Sequence, residues 1–131
     1  KNRLIFAETL PYKKHLARHI LGDLGLDTFN YNGHTTTSDA LWGGLPVLTK
    51  IGNSFAARVS ASMLTAIGLP ELITHNEKEY EEKALYIARN PKEIIRLKSK
   101  LLKSRNNSSL FNARLYTKDL EAKFEELIKS Q

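Results

Sequence analysis

Between Tyr31 and Pro46 the chain runs through a glycine, a histidine, three threonines, a serine, an aspartate and a short apolar stretch before Gly43-Gly44-Leu45-Pro46. That order dictates a loop, one short helix and a hard stop. Asn32-Gly33 turns the chain, Thr36 to Trp42 has a helical pattern, and the Gly-Gly-Leu-Pro sequence ends it. Pro46 to Thr49 then reads as a strand of buried type, carried by Val47 and Leu48. The first N–H groups of a helix have no intrahelical partner and carry partial positive charge, so an anion is favoured beside them. Thr35, Thr36, Thr37 and Ser38 gather hydroxyl donors at that spot, and His34 adds a ring that donates or accepts. Hydroxyl residues at a helix start also act as caps, so Ser38 and Thr35 carry that structural reading beside the functional one. Asp39 suits sugar hydroxyls as an acceptor, and equally suits the first turn of a helix as an acid favoured by the dipole.

The same punctuation divides the rest of the chain. Arg3 to Ala7 reads as a strand through Leu4, Ile5 and Phe6, and Lys13 to Leu21 as a helix with Leu16, Ile20 and Leu21 on one side. Gly22 and Gly25 end that helix, and Leu26 to Phe29 reads as a short strand. Ser54 to Ile67 is predicted as one helix, with Phe55, Val59, Met63 and Ile67 as its apolar stripe and Gly68 as its end. Glu71-Leu72-Ile73 is an extended piece. Three helices follow. Glu77 to Ala88 carries Tyr80, Ala84, Leu85 and Ile87, and Pro91 to Ser104 opens on a proline suited to a first turn. Asn112 to Lys129 is expected to turn Tyr116, Leu120, Phe124, Leu127 and Ile128 inward. Trp42 is expected to anchor the core. Strands alternating with helices imply an α/β fold with a parallel, doubly wound sheet. Ligands of such sheets bind beyond the carboxyl ends of the strands, where the Asn32 to Thr36 loop falls.

At 131 residues the chain is one domain or part of one. It starts at Lys1 and runs almost directly into a strand-like segment, which suggests a piece of a longer polypeptide. Without cysteine it has neither disulfides nor thiolate metal sites. Four histidines without clustered carboxylates make no metal site; His19 and His75 read as ordinary surface or half-buried residues. No apolar run reaches the ~20 residues that span a bilayer. The net charge of +6 raises the question of nucleic acid. Its excess lies in Lys92, Arg96, Lys98, Lys100, Lys103 and Arg105, which alternate with the stripe Ile94, Ile95, Leu97, Leu101 and Leu102. A solvated helix face explains that pattern, and no nucleic-acid-binding module is recognisable.

Several motifs in order carry a resemblance. Gly33-His34-Thr35-Thr36, Asp39, Leu41-Trp42, Gly44 and Pro46 are followed by the segment from Ser54 to Ser62, by Glu71-Leu72-Ile73 and by Ser109-Leu110-Phe111-Asn112. Together they resemble the nucleotide-sugar region of O-linked N-acetylglucosamine transferases of bacterial type, over nearly the whole chain. The resemblance implies the C-terminal, Rossmann-like half of a two-domain GT-B glycosyltransferase, with a helical tail. In that reading residues 1–76 form a nucleotide-sugar-binding α/β segment, and residues 77–131 are helices completing the same domain.

By the same resemblance His34, Thr35 and Thr36 contact the diphosphate of a UDP-sugar, and Asp39 holds the ribose. Leu10 contacts the uracil edge through its backbone, His15 packs on the base, and Arg18 reaches the nucleotide. Tyr12 stands where the family often has a lysine, and Arg58 is left without a role. Transfer of N-acetylglucosamine, or a related sugar, from UDP to protein serine or threonine is implied, without a metal or other cofactor. The catalytic groups are expected upstream, so this segment alone is expected to be inactive. The family also implies a cytoplasmic address and tetratricopeptide repeats that select protein acceptors. An incomplete sheet edge suggests a homodimer. Two other readings stand beside this one: a different nucleotide-sugar enzyme of the same architecture, such as an epimerase or polysaccharide transferase, and a non-enzymatic basic interaction module.

Overall fold

The structure, a computed structural model, describes residues 3–130; the expected start at Lys1 and Asn2 lies outside them. Three short parallel strands form the sheet: β1 (Gly25–Leu26), β2 (Val47–Lys50) and β3 (Ile73–Thr74), in the spatial order β1-β2-β3. Gly25 pairs with Val47 and Leu26 with Leu48; Thr49 pairs with Ile73 and Lys50 with Thr74. β2 is central because Val47, Leu48 and Thr49 are all buried, as a parallel strand covered on both faces requires. Helices α1 (Tyr12–Arg18), α2 (Thr35–Trp42), α3 (Val59–Ala66), α4 (Glu77–Arg89), α5 (Pro91–Arg105) and α6 (Ala113–Lys129) surround or follow it.

One core joins these elements. Leu41 of α2, Leu48 of β2, Leu64 of α3, Ile87 of α4, and Leu97 and Leu101 of α5 are fully buried together, with Ile67, Leu69 and Leu72 from the α3–β3 connection. Burying one such side chain stabilises the fold by about 1.5–3 kcal/mol before entropy is counted. Gly44 and Gly68 follow α2 and α3 with φ of +85° and +79°, a left-handed turn that a glycine makes without strain. Asn76 and Asn112 cap α4 and α6 by accepting from the N–H groups of Glu79 and Leu115.

Several expectations need correction. Residues 4–10 form no strand, and Phe6 is 93% exposed, because no neighbouring strand offers them a hydrogen-bond ladder. The strand expected at Leu26 to Phe29 is only Gly25–Leu26, since Asp27 and Thr28 turn away into the loop. The helix expected from Ser54 to Ile67 is broken: Ser54 caps a 3-10 turn at Phe55–Ala57, and α3 begins only at Val59. Its core face is Ser60, Ala61 and Leu64, while Phe55 is 82% exposed. Of the expected stripe, only Ile67 is buried. Trp42 is half-exposed; it meets Phe111 edge-on and lies 5.0 Å from the Arg105 guanidinium. Leu85, Ile95 and Leu102 also face outward, as do Ile20 and Leu21. On α6, Tyr116, Leu120, Phe124, Leu127 and Ile128 are exposed rather than inward, and no residue of the helix is buried.

Candidate functional site

The loop from Asp27 to His34 leaves the carboxyl end of β1 and leads directly into α2. Gly33 lies so close to the helix that an added Cβ would sit 2.5 Å from Thr37 Oγ1 and 2.7 Å from Thr36 Oγ1. His34 is the N-cap residue, yet no side chain caps α2. The capping reading of Thr35 and Ser38 therefore does not describe them: both are inside the helix. Thr35 and Thr36 are exposed, whereas Thr37 is buried and bonded to Ser60 at 2.9 Å. The His34 ring stacks on Tyr31, with centroids 4.9 Å apart, and meets Phe55 edge-on at 6.1 Å. Its Nε2 is buried without a hydrogen-bond partner. An uncapped helix start with exposed hydroxyls offers hydrogen-bond donors and partial positive charge to an anion.

The second group of expected residues also comes together. Leu10, Tyr12, His15 and Arg18 line one cleft of about 400 Å³ with residues 7–9. That size lies within the ~300–1,000 Å³ of small-molecule sites. Arg18 Nη1 donates to the carbonyl of Glu8 at 2.8 Å and so holds the incoming strand of chain over α1. His15 meets His19 edge-on at 4.8 Å, which fixes its ring against the helix. Asp39 on α2 accepts a hydrogen bond from the Tyr12 hydroxyl at 3.0 Å, so the cleft and the start of α2 are joined by a side-chain pair. The hydrogen bond to Asp39 pushes the Tyr12 phenol above its ordinary pKa, and burial and the carboxylate charge act in the same direction.

Three participants were not singled out from the sequence. Asp27 at the end of β1 accepts from the Gly33 and Thr28 N–H groups and from the Thr49 hydroxyl. Ser60 on α3 donates to the Gly33 carbonyl. Tyr12, a departure from the family lysine in the sequence, is the hydrogen-bond partner of Asp39. For Asp27, its place at the carboxyl end of a strand was the one available signal. Arg58, which had no role, donates to the carbonyl of Gly52 at 3.0 Å.

Carboxylates meet part of the basic helix α5. Arg96 pairs with Glu93 and Glu71, Lys98 with Asp23 and Lys100 with Glu71. Arg105 donates to the carbonyl of Trp42 at 2.7 Å. Burial pushes the Glu71 carboxyl up, but the hydrogen bonds from Lys100 and its own backbone, with Arg96 beside it, outweigh this and hold it below the usual range. Among the described residues no three His, Asp or Glu side chains gather to hold a metal ion, and no helix is long and apolar enough to cross a membrane.

The family model of glycosyl transferase family 41 matches residues 1–120. The chain belongs to glycosyl transferase family 41. A UDP-N-acetylglucosamine–peptide N-acetylglucosaminyltransferase of Caenorhabditis elegans is 35% identical over 92% of this chain and 10% of its own length. A probable enzyme of the same description from Arabidopsis thaliana is 36% identical over 94% of this chain and 13% of its own. A solved mutant of the Thermobaculum terrenum O-GlcNAc transferase superposes with a TM-score of 0.81 at 33% identity, covering 89% of this chain and 22% of that one. The chain thus spans about a tenth of the length of these curated relatives. Its fold is a partial Rossmann-like α/β unit with a helical C-terminus, consistent with its superposition on the O-GlcNAc transferase structure.

Proposed function

We propose that this chain is the UDP-binding part of a glycosyltransferase that moves N-acetylglucosamine, or a related sugar, from a UDP-sugar to protein serine or threonine. The observation that carries this reading is the junction of two surfaces. The uncapped start of α2, with exposed Thr35 and Thr36, is tied through Tyr12 and Asp39 to the cleft of Leu10, His15 and Arg18. One long ligand with an anionic middle and a flat base would satisfy both. In this reading His34, Thr35 and Thr36 receive the diphosphate, Asp39 accepts from a ribose hydroxyl, and His15 packs on the base. The Leu10 backbone meets the base edge. Arg18 directs its charge toward the nucleotide while one of its nitrogens holds Glu8. Of the helices in residues 77–131, α4 and α5 pack into the core of the unit that carries these groups.

Breaking the sugar C1–O bond leaves the bonding electrons on a phosphate oxygen. Fixed N–H and hydroxyl donors stabilise that charge in the transition state, the role a metal ion fills in other enzymes. The groups that take the proton from the attacking hydroxyl are proposed to lie elsewhere in the parent enzyme, as are repeats that select acceptors, so this chain by itself is proposed to be inactive. A cytoplasmic address belongs to the same reading. Titration calorimetry with UDP tests it. Saturable binding is expected, and a folded Asp39→Ala, Thr36→Ala variant is expected to lose it. Equal binding by that variant, or turnover by the isolated chain, contradicts the assignment.

A further inference from the structure

The loop ahead of α2 is held from both sides at one residue. On one side the Asp27 Oδ1 accepts from the Gly33 N–H at 2.7 Å and from the Thr28 N–H at 2.9 Å. Its Oδ2 accepts from the Thr49 hydroxyl at 2.6 Å, and Thr49 is fully buried on the central strand. On the other side the fully buried Ser60 donates its hydroxyl to the Gly33 carbonyl at 2.9 Å. Ser60 has one proton, and Gly33 takes it. The 2.9 Å contact between Thr37 and Ser60 must therefore have Thr37 as donor. The protons are ordered from Thr37 to Ser60 to Gly33. The Thr37 hydroxyl is thereby committed to the interior, and those of Thr35 and Thr36 remain exposed.

We propose that Asp27 and Ser60 are positioning residues for the diphosphate. They clamp Gly33 between β2 and α3, so that the start of α2 is already set before a nucleotide arrives. The inference rests on the UDP reading above. Its physical content is preorganisation. Ordering a loop residue costs backbone entropy, and a loop already ordered in the free protein does not subtract that cost from binding. Donors that need not reorient are also the ones that stabilise developing charge best. Two features agree with this role. Asn32, next to Gly33, is itself tied down, its N–H to the Ala56 carbonyl and its side-chain amide to the Thr28 carbonyl, both at 2.9 Å. Gly33 also lies so close to α2 that an added Cβ would sit 2.5 Å from Thr37 Oγ1.

A clamp differs from a general packing role in what it changes. It acts on the part of the ligand that meets α2, not on the part that meets the cleft at α1. The test compares UDP with uridine on the full chain, by calorimetry for the tight ligand and NMR titration for the weak one. Ser60→Ala and Asp27→Ala are expected to weaken UDP about tenfold while uridine is unchanged. Asp27→Asn, which keeps an acceptor for Gly33, is expected to recover most of the loss. In the free chain, amide exchange at Gly33 is expected to quicken in Asp27→Ala while amides of β2 keep their protection. If UDP and uridine fall by the same factor, or Gly33 exchange does not change, the clamp is overturned while the UDP reading stands. A parent chain that binds neither ligand overturns the UDP reading, and the clamp with it.

Discussion

Tyr12 and Gly33 show how much one side chain, or the lack of one, decides here. Tyr12 replaces an expected lysine, yet its hydroxyl reaches Asp39 at 3.0 Å and holds the carboxylate that the ribose would meet. Tyr12→Phe is expected to weaken UDP binding about fivefold with no change in fold. Because Asp39 raises the phenol's pKa, the bond is intact below the ordinary value near 10 and is lost only as pH rises through the raised one. The Tyr12→Phe effect is thus expected to be constant from about pH 6 to 9, and calorimetry across that range checks it. At Gly33 an added methyl would meet Thr37 Oγ1, which cannot swing away without breaking its bond to Ser60. Gly33→Ala is expected to cost about 1–3 kcal/mol in urea unfolding. The Gly-His-Thr-Thr motif was legible because residue types alone mark a helix start. The bonds that tie Asp27 and Ser60 to Gly33, and Tyr12 to Asp39, were not, since each spans more than five residues of sequence and depends on how elements pack.

Elements bounded by strong stops matched their expected places. α2 lies between Gly33 and Gly43-Gly44, and α5 starts at Pro91, because glycine and proline act there through local sterics. Apolar spacing was a weaker guide. The Phe55, Val59 and Met63 stripe suggested one long helix, but the bond from the Gly52 N–H to the Ala57 carbonyl closes a turn there. α3 then buries Ser60 and Ala61 instead. On α5, Leu97 and Leu101 are the anchors, and Leu97→Ala is expected to destabilise the fold by about 2–5 kcal/mol. The Glu71 carboxylate joins the turn before β3 to α5 through Lys100 and Arg96. Its folded pKa is depressed, so its contribution is present above the unfolded value near 4.3 and is lost as pH falls through the folded one. Glu71→Gln is therefore expected to flatten the acid limb of a stability–pH profile and leave its low-pH end unchanged, as thermal melts at a series of pH values would record.

For the molecule as a whole, α6 stands apart: none of its residues is buried, while the core closes among α2 to α5 and the sheet. Truncation after Asn112 is expected to leave the melting temperature of the remainder within a few degrees, because it exposes no core side chain. Of the basic residues behind the net charge of +6, carboxylates answer Arg96, Lys98 and Lys100 on α5. The sequence by itself determined the alternation of helix and strand, the place of α2 and the family. Those depend on local sterics, on periodicity and on the order of motifs, all of which are written along the chain. Only the tertiary structure decided which face of α3 is buried, that the stripe of α6 meets solvent, and that Asp27 and Ser60 converge on Gly33. A periodic stripe names a face but not its partner, and a hydrogen bond between distant residues exists only once the register of β1 against β2 and the seat of α3 have set where their backbones lie.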